Sequence, residues 1–249
     1  MSNPFDVWSW VPQPYPAAIL LALLVGLIWL SVVAPGWWRT AAVLPVALVG
    51  IVLFAPAIAW LQVPLQAATG SLLVSTFGAQ AVGHNLLLAA IPSTLESGIV
   101  QEAVKLLPVL LYVVLVGPRG EKGPLRVGAA AGAAFGAMEA AWALGLVFAA
   151  GFSLDTLQLS GWQGVLPFWE RFFVVGFHTA SGLILGYGLV FGLAPLMYVV
   201  AVLMHSLLNY PIVLVQANLL DPIALEGIIA VWALLCVALA IVLRRHAGR

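Results

Sequence analysis

Charge is what this sequence lacks most. Asp, Glu, Lys and Arg make up 7% of its 249 residues, against roughly 25% in an ordinary soluble domain. Nine basic residues balance nine acidic ones. There is therefore no basic excess to bind nucleic acid and no highly charged, apolar-poor tract that would stay disordered. A single cysteine, Cys236, excludes a disulfide framework and a cysteine-ligated zinc site. It sits in an apolar run and reads as core or lipid-facing filler. What is plentiful is apolar: 63% of the chain is hydrophobic, which leaves too little polar surface to cover a globule in water. The composition specifies an all-α polytopic membrane protein.

A helix needs about 20 apolar residues to cross a hydrocarbon core of about 30 Å. Seven runs qualify, near 17–35, 41–60, 94–116, 127–150, 171–194, 196–216 and 223–243. Barrel strands would be about 10 residues long and would alternate. Residues 1–16 have no basic n-region and carry Trp8, Trp10 and Tyr15, so they read as an interfacial anchor and not a cleaved signal peptide. The stretch 61–93 is apolar but broken by Pro64, Gly70, Gly78, Gly83 and Pro92, and reads as an outer-surface or partly re-entrant segment. The 151–170 connection, with Pro167, Phe168 and Trp169, is expected on the membrane surface. Arg39, then Arg119, Lys122 and Arg126, then Arg244, Arg245 and Arg249 fall on one side of a seven-span chain. The positive-inside rule makes that side cytoplasmic, with the N-terminus outside. No repeat or long linker divides the chain, so 1–249 reads as one transmembrane domain.

A charge at the centre of a spanning helix costs at least about 2.5–3.5 kcal/mol, so each polar residue at that depth needs a reason. Gln101, Glu102 and Lys105 share a face of the third span, where the lysine can neutralise the glutamate. Glu139 lies in the fourth span beside a stripe of Gly128, Gly132 and Gly136, which invites close approach of another helix. His178 is followed by Gly182 and Gly186 at the same spacing, and Arg171 precedes it by seven residues on the same face. His205 and Asn209 share a face of the sixth span. Glu96 is expected to cap or snorkel at a helix end, and His84 and His246 lie outside the clear spans. At about 1.5 Å per residue, Glu102, Glu139, His178, His205 and Asn209 all fall roughly 10–17 Å below the outer surface. Four helices thus bring polar groups to one level.

A glutamate beside a histidine suits general-base activation of water, with an amide to stabilise an oxyanion. Alternatively, Glu139, His178 and His205 could hold a zinc ion and its water. Rival protease signatures are missing: there is no H-E-x-x-H and no G-x-G-D. Thr179-Ala180-Ser181-Gly182 lacks the first glycine of a rhomboid-type motif, which makes Ser181 a poor nucleophile.

Four motifs occur in order, each on its own span: Gln-Glu-Ala-Val-Lys at 101–105, Phe-Gly-Ala-Met-Glu at 135–139, Arg171 with His178, and His-Ser-Leu-Leu-Asn at 205–209. This pattern resembles the PrsW-type intramembrane proteases, within the wider CAAX prenyl endopeptidase superfamily, over a four-helix core at 94–216. The resemblance implies hydrolysis of a membrane-anchored protein near the outer face of a prokaryotic plasma membrane. It implies a catalytic set of Glu102, Glu139, His178 and His205, with Asn209 as oxyanion donor or orienting group. Lys105, Phe135 and Arg171 would support them. Both a metal-free glutamic mechanism and a zinc mechanism stay open. Gln101 stands where the family pattern has its first glutamate, and an amide is no base at neutral pH. Glu102 or Glu139 then acts as base, or the chain is inactive. A non-catalytic membrane scaffold is the alternative reading. A proton-coupled transporter is a third, against which no inverted repeat is visible.

Overall fold

The computed structural model describes residues 15–117 and 122–248. Trp8, Trp10, Arg119 and Arg249, on which parts of the anchor and orientation readings rest, lie outside them. All regular elements among the described residues are helical. They are α1 (Pro16–Val33), α2 (Val43–Pro56), a π-helical stretch (Ala57–Gln62), α3 (Val63–Phe77), α4 (Ala79–His84), α5 (Leu86–Ala89), α6 (Ile91–Val116), α7 (Lys122–Ala149), α8 (Leu154–Ser160), α9 (Leu166–Val190), α10 (Ala194–Gln216) and α11 (Pro222–His246), with short 3-10 turns at Trp37–Arg39 and Gly161–Val165. Among the described residues, seven helical stretches are long and apolar enough to cross a membrane.

The helix ends follow local chemistry. Pro16 and Pro222 open α1 and α11 at positions where a missing N–H costs nothing. The Asp221 side chain accepts the Ile223 N–H at 2.8 Å. Gly117, at φ +78°, stops α6 in a conformation that a side chain would resist.

The stretch 61–93 is almost entirely helical. Residues 43–77 form one continuous 35-residue helical stretch, which at about 1.5 Å per residue is longer than a bilayer core is thick. Residues 61–77 are therefore an extension of the second span, and α4 and α5 link it to α6. Pro56 and Pro64 each remove one backbone donor. The chain absorbs the loss by widening to a π register over 57–62 instead of breaking. The 151–170 connection contains α8 and a 3-10 turn and exposes Leu154, Leu159, Trp162 and Trp169, as suits a segment resting on a membrane surface.

The most extensive packing is between α7 and α9, with α1 and α2 against α7, α11 against α9, and α6 paired with α10. The glycine stripes explain the α7–α9 contact. A Cβ added at Gly132 would lie 2.0 Å from the His178 carbonyl oxygen, and one at Gly128 would lie 2.2 Å from that of Gly182. The backbones touch because these positions have no side chain. Gly98 does the same for α6 and α10: a Cβ there would sit 2.7 Å from the Val202 carbonyl oxygen. These two seams bring α6, α7, α9 and α10 together around their polar residues.

Candidate active site

Lys105 is the hub of a buried cluster. Its ammonium lies 2.5 Å from Glu102 Oε1, 2.7 Å from Ser181 Oγ and 3.0 Å from His178 Nδ1. Three acceptors meet three N–H donors, so the buried charge is fully satisfied. The rings of Phe135 and Phe177 flank it, with centroids at 5.8 and 5.6 Å. Glu102 Oε1 also meets His205 Nδ1 at 2.7 Å, while Glu102 Oε2 has no hydrogen-bond partner.

This arrangement assigns the His178 tautomer. An ammonium only donates, so Nδ1 accepts and the ring proton sits on Nε2. That nitrogen lies 2.9 Å from Glu139 Oε2, which is itself buried. Arg171 Nη1 donates to Glu139 Oε1 at 2.8 Å, and the same guanidinium pairs with Glu170. The spacing of seven between Arg171 and His178 thus brings both onto one carboxylate. Phe135 packs between Phe54 and His178, at centroid distances of 5.2 and 5.5 Å, and fixes the imidazole from the side.

Beside this cluster lies a cavity of about 490 Å³ between the α2/π segment, α6, α7 and α10. Glu139, Gln101, Asn209, Ser97 and Gln62 supply polar groups to a largely apolar wall. Gln101 Nε2 donates to Gln62 Oε1 at 3.0 Å and to Ser97 Oγ at 3.3 Å, and Asn209 Nδ2 donates to the same Ser97 Oγ at 3.0 Å. Gln101 Oε1 is left without a partner. Of the ion cluster, only Glu139 lines the cavity. Glu102, Lys105, His178 and His205 are at most 2% exposed and lie behind it. The polar groups that the sequence places at one level thus form two layers, a buried one of charges and a polar cavity, joined at Glu139.

No protein-family model matches the chain, and neither does any curated protein or solved structure. The chemistry must therefore be argued from this geometry.

Glu102, His178 and His205 each present a donor atom within 4.8 Å of the others, a group of a size that could hold a metal ion. This is not the zinc set read from the sequence, because Glu139 is turned to Arg171 and His178 and Glu102 takes its place. The Lys105 ammonium already holds Glu102 Oε1 and His178 Nδ1, at 2.5 and 3.0 Å, so an ion there would bind through the other donor atoms of the group or displace the lysine.

Among the other sequence candidates, Ser181 is fully buried and donates to the His178 carbonyl oxygen at 3.1 Å, a structural role. Glu96 accepts from Thr69 of α3. His246 meets the Tyr187 hydroxyl at 3.0 Å, away from the site, and Cys236 is buried in the core. Sequence reasoning missed Ser97, Gln62 and Gly98. The i,i+4 spacing of Ser97 and Gln101 was a usable signal. So was a lone glutamine between Pro56 and Pro64.

Proposed function

We propose that this chain is an intramembrane endopeptidase that hydrolyses a peptide bond of a membrane-anchored protein. The observation that carries the reading is Glu139. It is a carboxylate held by Arg171 and His178 at the wall of a polar cavity, its side chain 20% exposed. Water in the cavity donates one hydrogen to Glu139. Glu139 removes the proton as the oxygen attacks the carbonyl carbon. The second N–H of Asn209 donates to the oxyanion. Glu139 then returns the proton to the leaving nitrogen as the C–N bond breaks. Behind it, His178, Lys105, Glu102 and His205 act as positioning residues, and no step requires zinc.

The cavity opens at the end of the bundle where α6 begins, opposite the end where Lys122, Arg126, Arg244 and Arg245 gather. Taking the basic end as cytoplasmic puts the cut near the outer face of a plasma membrane, with the N-terminus outside. A second reading, a non-catalytic scaffold, is favoured by Gln101, whose amide nitrogen is committed to Gln62 and Ser97. The test is cleavage of membrane-tethered reporter proteins in proteoliposomes. Wild type cuts and Glu139→Gln does not, at equal thermal stability. Absence of cleavage by wild type, together with a detergent-stable complex with a second membrane protein, would favour the scaffold.

A further inference from the structure

A second cavity, of about 440 Å³, lies at the opposite end of the bundle from the first. Lys122 and Arg126 from the start of α7, and Arg244 and Arg245 from the end of α11, line it, with Ala34 and Pro35 from the end of α1. Leu125 and Leu183, both buried, lie behind it. No acidic residue lines it among the described residues, and none of the four cations has a described ion-pair partner. Arg244 has a structural duty: its Nη1 donates to the carbonyl oxygens of Val33 at 2.6 Å and Val32 at 3.0 Å, covering the open end of α1. Among the described residues Arg126 makes only a long bond, 3.4 Å, to Thr40 Oγ1, and Lys122 and Arg245 are exposed.

Four like charges around one space repel each other, and their convergence calls for an anion. Ordinary positive-inside bias requires basic residues only somewhere in the loops, not around a single cavity. The position at the ends of membrane-crossing helices selects the kind of anion: a phospholipid of the adjoining leaflet carries its phosphate at that level. We infer that this cavity binds the phosphate headgroup of an anionic phospholipid from the adjoining leaflet. Lys122, Arg126 and Arg245 contact the phosphate, and Arg244 couples the site to the end of α1. The inference is independent of the proposed hydrolysis.

The test uses the full chain in a non-ionic detergent, with retained lipid counted by native mass spectrometry. Phosphatidylglycerol should be retained at one molecule per chain at concentrations where phosphatidylcholine is not. Each cation near a membrane surface strengthens anion binding about fivefold, so Arg126→Gln with Arg245→Gln should weaken retention about 25-fold. Arg39→Gln, a basic residue at the same end but outside the cavity lining, should leave it unchanged. Equal retention of the two lipids would overturn the inference, as would an equal loss in Arg39→Gln. Glycerol 3-phosphate should not compete at equal concentration. Full competition would make the cavity a soluble-phosphate site and overturn the lipid assignment. Thermal midpoints of all variants in lipid-free detergent serve as the fold control.

Discussion

Replacing Gly132 by alanine tests whether the α7–α9 seam sets the site. The added Cβ would lie 2.0 Å from the His178 carbonyl oxygen, 2.8 Å from its carbon and 3.1 Å from Thr179 Cα, where ordinary contact begins at 3.4 Å. The obstacle is backbone, so no rotamer change relieves it, and the helices must part by about 1.4 Å. The shift cannot stay local, because the same helices touch again at Gly128 with Gly182 and at Gly186 with Pro124. Overpacking of this kind costs about 1–3 kcal/mol, and occasionally more. For a chain of this size that is a fall of roughly 2–12 °C in Tm. Because the displaced residue is His178, which faces Glu139, a misplacement of about 1 Å should also lower cleavage on the order of 100-fold. Gly50→Ala, 3.2 Å from the Ala131 carbonyl oxygen, should cost much less. Gly227→Ala, with nothing within 4 Å, should be neutral or slightly stabilising. Thermal melts and reporter cleavage of the three variants give the answer. Wild-type Tm and rate in Gly132→Ala would refute the packing argument.

Three further outcomes follow from the same geometry. Lys105→Met strands the Glu102 carboxylate and should destabilise by about 3–5 kcal/mol, with part of the loss recovered in the double variant with Glu102→Gln; equal melts for single and double variants would contradict the buried pair. Zinc content, measured by atomic emission on the wild-type chain, should be well below one ion per chain, and chelators should leave cleavage intact. A stoichiometric ion whose removal stops cleavage would show that Lys105 vacates its position. Gln101→Glu places a second carboxylate at the cavity and should raise the cleavage rate, by up to about 100-fold. A fall would show that the amide's bonds to Gln62 and Ser97 matter more than added basicity.

Much of this was readable before any coordinates, for definite reasons. Lipid penalises every charge, so Glu102, Lys105, Glu139, His178 and His205 stood out, and helical periodicity placed Lys105 on Glu102. Glycines four apart announced the α7–α9 seam, since only missing side chains let backbones meet. The pairing of groups across helices was not readable. Periodicity fixes which residues share a face but not the rotation of one helix against another. The sequence therefore could not say that Glu102 faces His205 while Glu139 faces Arg171 and His178. Nor could it show that the lysine tuning Glu102 also reaches His178 and Ser181. The π stretch was hidden because prolines in a helical run usually read as breaks. Here the widened register carries Gln62 to Gln101.

The central claim is that Glu139 removes a proton from water that attacks a peptide bond. The direct measurement is cleavage of a membrane-tethered reporter in oxygen-18 water, with the new C-terminus examined by mass spectrometry. Wild type should place one heavy oxygen in that carboxylate, and Glu139→Gln, melting at the same temperature, should lower the rate by about 100-fold or more. Full incorporation at the wild-type rate by Glu139→Gln would contradict the account.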